Sequence, residues 1–300
     1  MLYGYLASVL FILLLATGIY LFGYASRNAS PLLVTVLEII SGILLSFILV
    51  LLIDNISPAE LLTKPAAKNW MGMGASAVTG YVGGTFFTVI NLRSGGERIN
   101  SLLSPAITAF AVAAGAMVFG EVLTVSKITG ILTTIAAVTG FLFLRTRTAS
   151  HQPAARAAFW SGIATVVCIT LSIVSSIKGT QDSDLSIMHS IWLRLLVALP
   201  FLLPALFKKG ALSKNTSALK FYGAIVGGVV VQTIFASYLW FYCTYAIGIS
   251  TFQVIIATLP FFVYAADVWL FRRTKPSLYF LLTALMALAG ICLVMWGDIW

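Results

Sequence analysis

Apolar positions run along this chain in ten near-continuous blocks, at residues 3–23, 31–53, 70–92, 99–120, 125–145, 157–177, 186–207, 219–246, 250–271 and 277–298. Each block is close to the ~20 residues that carry a helix across a bilayer. The breaks between them hold turn and cap residues, among them Arg27-Asn28-Ala29-Ser30-Pro31, Lys64-Pro65, Ser94-Gly95-Gly96 and Lys208-Lys209-Gly210. The blocks lack the alternation of outer-membrane barrel strands. The longest polar stretches, before residue 70 and around 208–218, leave no room for an attached soluble domain. The pattern predicts an all-α polytopic membrane protein with ten transmembrane helices. The first block has no Lys or Arg before it and reads as a retained helix, not a signal peptide.

Composition agrees. Of the 300 residues, 60% are hydrophobic and 9% charged, and the mean hydropathy is +1.02, whereas soluble domains carry about 25% charged residues. The net charge of +9 comes from the loops and gives no reason to expect a nucleic-acid partner. Thirteen basic residues fall in the odd-numbered loops: Arg27; Arg93 and Arg98; Arg145, Arg147 and Arg156; Lys208, Lys209, Lys214 and Lys220; Arg272, Arg273 and Lys275. The even-numbered loops hold four, Lys64, Lys68, Lys127 and Lys178. Basic residues in short loops mark the cytoplasmic side, so both termini are expected outside the cytoplasm. Cys168, Cys243 and Cys292 all fall inside apolar blocks, which argues against a disulfide framework.

The block at 186–207 contains Arg194, with no acidic residue nearer in sequence than Asp184. A guanidinium facing lipid at such a depth costs several kcal/mol. An internal repeat suggests what holds it. A shift of about 155 residues lays Pro105 on Pro260 and Gly72 on Gly227, and a shift of 156 lays Glu38 on Arg194. Each half, 1–148 and 149–300, then has five helices, and an odd number forces the second to enter from the opposite side as an inverted repeat. Glu38 and Arg194 each lie about eight residues into their helices, about 12 Å deep at ~1.5 Å per residue in a core of about 30 Å. They are expected to meet near the midplane as an ion pair.

Two five-helix repeats of this length resemble the drug/metabolite transporter superfamily in its ten-helix EamA-type branch. The resemblance rests on Arg194, on Pro105 and Pro260 opening the fourth helix of each half, on Gly120-Glu121 at a helix end, and on Gly130 soon after. Glu38 stands where the first half of such proteins has an arginine, and Arg272-Arg273 where the second would have Gly-Glu. The resemblance implies a secondary transporter, chiefly an exporter, in the cytoplasmic (inner) membrane of a bacterium. It would move small metabolites such as amino acids or related organic compounds by alternating access between the repeats. The implied partners are a small-molecule substrate and the lipid bilayer, with a coupling proton as a candidate and Glu38 as its carrier. No cofactor or metal is implied, and the chain would act as a monomer or homodimer. Such proteins are commonly drawn with cytoplasmic termini, against the loop charges here.

The candidate substrate-binding or gating residues follow. Glu38 and Arg194 are a gate or charge partners for substrate, or else a static pair pinning two helices. Phe235, Tyr238, Tyr242 and Tyr245 fall within an arc of about 80° at ~100° per residue, and an arc with three hydroxyls would suit a cavity wall, or else interhelical packing with Tyr245 in an interfacial belt. Gln232 adds a donor one turn away. Tyr81, Thr85 and Thr88 give the pseudo-equivalent helix a hydroxyl-bearing face, while its glycines allow close helix approach. Pro105 and Pro260 are expected to kink their helices. The stretch 91–100, with Arg93, Glu97 and Arg98 around Gly95-Gly96, reads as a solvated cytoplasmic turn or else as a gate at the cavity mouth. Glu121 is expected at the interface, and Asp267 paired locally. A non-transporting scaffold subunit is the alternative. An intramembrane enzyme is disfavoured, since His151 and His189 are the only histidines and no hydrolase or metalloprotease motif occurs.

Overall fold

A computed structural model describes residues 2–101, 103–146, 153–206, 217–273, 275 and 277–299. Among these residues there is no strand. The helices are α1 (Leu2–Asn28), α2 (Pro31–Asp54), α3 (Ala67–Ser94), α4 (Leu103–Phe119), α5 (Val125–Thr146), α6 (Pro153–Thr180), α7 (Ile187–Leu206), α8 (Ala218–Ile247), α9 (Ile249–Leu270) and α10 (Leu278–Ile299). Seven are long and apolar enough to cross a membrane, while α4, α5 and α7 are apolar over shorter stretches. A further short helix, Glu60–Thr63, lies between α2 and α3 and tucks Leu61 fully into the core.

Local chemistry sets the boundaries. Ser30 caps α2 by accepting from the Leu33 amide at 3.3 Å, and Pro31 opens the helix where no amide donor is needed. Asn55, in the left-handed region, ends it. Asn69 in the first turn of α3 accepts from the Ala66 amide and donates to the Gly179 carbonyl at 2.7 Å, tying α3 to the end of α6.

The main packing partners are α1 with α8, α3 with α6, α2 with α7, α4 with α9 and α5 with α10. Backbones come very close where glycines meet. A Cβ on Gly72 of α3 would lie 2.3 Å from the Gly179 Cα of α6, and one on Gly130 of α5 2.5 Å from the Gly290 carbonyl oxygen of α10. Gly80, Gly83 and Gly84 similarly abut Ser172, Cys168 and Ile169 of α6, the close approach that small residues allow in membranes.

Three helices depart from α geometry. α3 is π-helical over Ala77–Thr85 and α8 over Val229–Ala236; such stretches are frequent at functional sites. α9 is interrupted at Ala257–Thr258, directly before Leu259-Pro260, and turns π-helical at Ala266–Leu270. Pro105, by contrast, sits in the first turn of α4, where a proline is accommodated without a break. Gly96 (φ 76°) follows α3 and Gly248 (φ 81°) follows α8, each using a backbone region that disfavours side chains.

Cross-links between helix ends define two faces of the molecule. On one, Arg27 at the end of α1 meets Glu97 beside Gly96, and Tyr20 donates to Asp267 and the Val263 carbonyl of α9. On the other, Ser186 before α7 donates to Asp54 at the end of α2, and Lys68 donates to the Asp182 carbonyl after α6. The first face carries the odd-numbered loops.

Candidate functional site: a central polar cavity

Between these faces lies a cavity of about 260 Å³. Its wall draws on α1, α2, α3, α4, α6, α7, α8 and α9, while α5 and α10 stand outside it. The apolar lining includes Phe11, Leu15, Ile19, Ile107, Ile256 and Leu259. The polar lining includes Glu38, Tyr81, Thr85, Thr88, Asn100, Ser172, Ser176, Arg194, Gln232, Thr233, Ser237 and Gln253.

Glu38 and Arg194 face this one space, but no ion pair joins them. Glu38 is buried and accepts from Thr233 Oγ1 at 2.9 Å. Arg194 donates through Nη2 to Ser172 Oγ at 3.2 Å, and its guanidinium carbon stands 5.0 Å from the Tyr81 ring centroid and 5.9 Å from that of Phe241. Tyr81 lies within electrostatic reach of both charges and turns toward Ser237. The expected pair is thus corrected: α2 and α7 do pack together, with Gly42 against Leu195, yet a hydroxyl satisfies the carboxylate and aromatic faces hold the guanidinium. Arg194 rests above Gly80, where a Cβ would come within 3.3 Å of Nη2.

Several polar atoms at this wall have no hydrogen-bond partner: Arg194 Nε, Gln232 Oε1, Asn100 Oδ1 and Gln253 Oε1. Such atoms are costly when dry, and here they offer both donors and acceptors to an occupant. Gln232 lies against Gly18 of α1, where any side chain would collide with its amide. Asn100 and Gln253 had not stood out in the sequence, Asn100 because it closes the polar 91–100 stretch and Gln253 because it is a single amide in an apolar run.

The aromatic arc of α8 does not line this cavity. Phe235, Tyr238 and Tyr242 are 53%, 39% and 38% exposed, on the face opposite Thr233, Ala236, Ser237 and Trp240, which do line it. Helical periodicity groups residues on a face but does not say which face turns inward. Tyr238→Ala and Tyr242→Ala are therefore expected to leave flux within about twofold of the parent, as for substitutions of ±0.5 kcal/mol away from buried features. Loss of flux in liposomes with unchanged yield would return this face to the route.

Acidic residues outside the cavity are also better held than expected. Glu97 is 7% exposed and accepts from Arg27 Nη1 at 2.7 Å, packed against Gly23, so this part of the 91–100 stretch is buried and not solvated. Asp267 is 1% exposed and has Tyr20 and, at 3.9 Å, Arg273 as partners. Glu121, after Gly120 (φ 68°) at the end of α4, reaches the start of α9 and accepts from the amides of Ile249 (2.6 Å) and Ser250 (3.0 Å) and from Ser250 Oγ. A carboxylate at a helix N-terminus is favoured by the helix dipole as well. Glu121→Gln turns an amide donor toward these donors. It is expected to cost about 1.5–3 kcal/mol, the scale of a hydrogen bond to a charged group, seen as a lower melting temperature in detergent.

Seven helices of membrane length, six of them lining a polar cavity, describe a multi-pass membrane protein. Residues 156–296 match the sequence model of the EamA-like transporter family, so the second half of the chain carries an EamA-like domain, consistent with the drug/metabolite transporter superfamily. A solved protein crystal structure superposes with a TM-score of 0.72 over 98% of each chain at 18% identity, a likeness of fold. No curated protein matches the sequence.

Proposed function

We propose that this chain is a secondary transporter that exports small metabolites across a cytoplasmic membrane by alternating access between two inverted five-helix repeats. The helix pairing supports the repeat: exchanging α1–α5 with α6–α10 maps the pairs α1–α8 and α3–α6 onto each other and leaves α2–α7, α4–α9 and α5–α10 unchanged. The π-helical stretches of α3 and α8 correspond under the same exchange, as do Gly96 and Gly248, which join the third helix of each repeat to the fourth. Matching irregularities in both halves are where inverted-repeat transporters place substrate.

One observation carries the reading. A buried carboxylate and a half-buried guanidinium, one from each half of the chain, face a single cavity without pairing to each other. Buried charges are otherwise paired, so the occupant they suit is a small zwitterion, an amino acid or related compound. Its carboxylate would meet Arg194 and its ammonium Glu38; a proton on Glu38 is the candidate coupling ion. The test is flux of radiolabelled amino acids, amines and nucleosides in liposomes containing only this protein. Flux of at least one zwitterion above that of empty liposomes supports the proposal, and none across the panel points to a scaffold subunit.

On the loop charges, the arginine-rich face is expected in the cytoplasm and Trp300 outside. A phosphatase fused after Trp300 is expected to be active, and a fluorescent protein that folds only in the cytoplasm dark. The reverse pattern would invert the direction assigned to the route.

A further inference from the structure

A second pocket lies beyond the central cavity, toward the face that bears Thr180 and Gly248. Thr180, Asp182, Ser183, Ser190, Phe241 and Tyr245 are part of its wall. It shares no lining residue with the central cavity, yet the same three helices run from one to the other. On α6, Ser176 lines the cavity and Thr180 the pocket; on α7, Arg194 lines the cavity and Ser190 the pocket. Each step is four residues, one helical turn of about 5.4 Å. On α8, Trp240 lines the cavity while its neighbour Phe241 lines the pocket.

One layer of side chains separates the two spaces. Phe241 is fully buried, edge-on to Trp240 with ring centroids 5.0 Å apart, and the Arg194 guanidinium faces its ring. The Tyr245 and Thr180 hydroxyls hydrogen-bond to each other and join α8 to α6 beside the pocket. We infer that this pocket is an outer station on the transport route, divided from the central cavity by the Phe241 ring, and that it receives the cationic end of the solute. The residue types of its wall suit an ammonium group: the hydroxyl-bearing Thr180, Ser183 and Tyr245, the acidic Asp182, and the aromatic Phe241 and Tyr245. Arg194, behind Phe241, is left to hold the anionic end.

The inference rests on the transport reading, but its test reads accessibility and needs no flux, so the two can fail separately. Thr180→Cys and Ser176→Cys are made in the full chain and compared with the parent, which carries the three native cysteines; Thr180 is half-buried and Ser176 buried. A membrane-impermeant trimethylammonium-ethyl thiosulfonate and its sulfonate-bearing counterpart are supplied to each face of the membrane in turn. From the Thr180 face, Thr180→Cys is expected to react faster with the cationic reagent, by about tenfold if the pocket focuses cations, and Asp182→Asn to remove that preference. Ser176→Cys is expected to react about tenfold or more slowly than Thr180→Cys from that face, since an open layer is a minor state of about 10% or less. Phe241→Leu, and independently Phe241→Val, should raise the Ser176→Cys rate severalfold and leave Thr180→Cys unchanged, with monodisperse elution showing that the fold is kept. An unreactive Thr180→Cys, an anionic preference, or a Ser176→Cys rate unmoved by both Phe241 variants overturns the inference.

Discussion

Arg194→Gln and Glu38→Gln are each expected to reduce flux by roughly 30-fold to several thousand-fold, because losing one partner of a buried charged contact costs about 2–5 kcal/mol and ~1.4 kcal/mol is tenfold. On the proposed function the partner lost is the substrate's own charge, since Glu38 is held by Thr233 and Arg194 by Ser172 and the Tyr81 face. The double variant is therefore expected to recover neither flux nor stability. In a direct ion pair, each single change would strand a charge and the double change would relieve it. Groups that do not touch give losses of stability that add within about 0.5 kcal/mol. Melting temperatures of the four proteins in detergent, alongside their flux, make the distinction. Rescue of stability in the double variant would show that the two side chains do pair, against the arrangement described here.

The largest loss of folded protein is expected from Gly72→Val. Even the first carbon of that side chain would lie 2.3 Å from the Gly179 Cα, and backbone cannot swing aside as the end of a side chain can. Overpacking commonly costs about 1–3 kcal/mol, and a clash with backbone belongs at or above the top of that range. The crossing also carries the Asn69 bond to Gly179 and the serine contacts of Ser76 with Ser172 and Ser176 at 2.8 and 2.6 Å, so separating α3 from α6 would break these as well. Gly223 on α8 has open space around it, and Gly223→Ala is the matched control, expected to keep monodisperse yield and melting temperature. Equal behaviour of the two variants would show that the α3–α6 crossing is looser than described.

Hydropathy was enough to find the helices, because continuous apolar runs and capped breaks such as Ser30-Pro31 are local properties of the chain. Glu38, Arg194, Tyr81, Thr85 and Gln232 could be singled out from the sequence, as charge or polarity in otherwise apolar helices, and all of them line the one cavity. The partner of each charge was not legible. Thr233 reaches Glu38 from 195 residues away, and no spacing rule reports such a contact. The tyrosine arc of α8 misled for the reason its periodicity was attractive: an amphipathic pattern inside a membrane can be read from either side, as lipid excludes polarity less strictly near the interface, where tyrosines are welcome. Glu121 was equally hidden, because its donors are the amides at the start of a helix 128 residues further on. The one sequence hint was its neighbour Gly120, whose left-handed conformation turns the chain after α4.

The central claim is that one cavity holds a solute by two opposite charges that do not satisfy each other. Its most direct test is flux, in liposomes containing only this protein, of a radiolabelled amino acid that the screen finds transported, beside the amine that lacks its carboxylate and the acid that lacks its ammonium. The amino acid is expected to cross while both singly charged relatives fail, with Arg194→Gln and Glu38→Gln each stopping its passage. Equal flux of all three compounds, or an amino acid flux untouched by either substitution, would contradict the account.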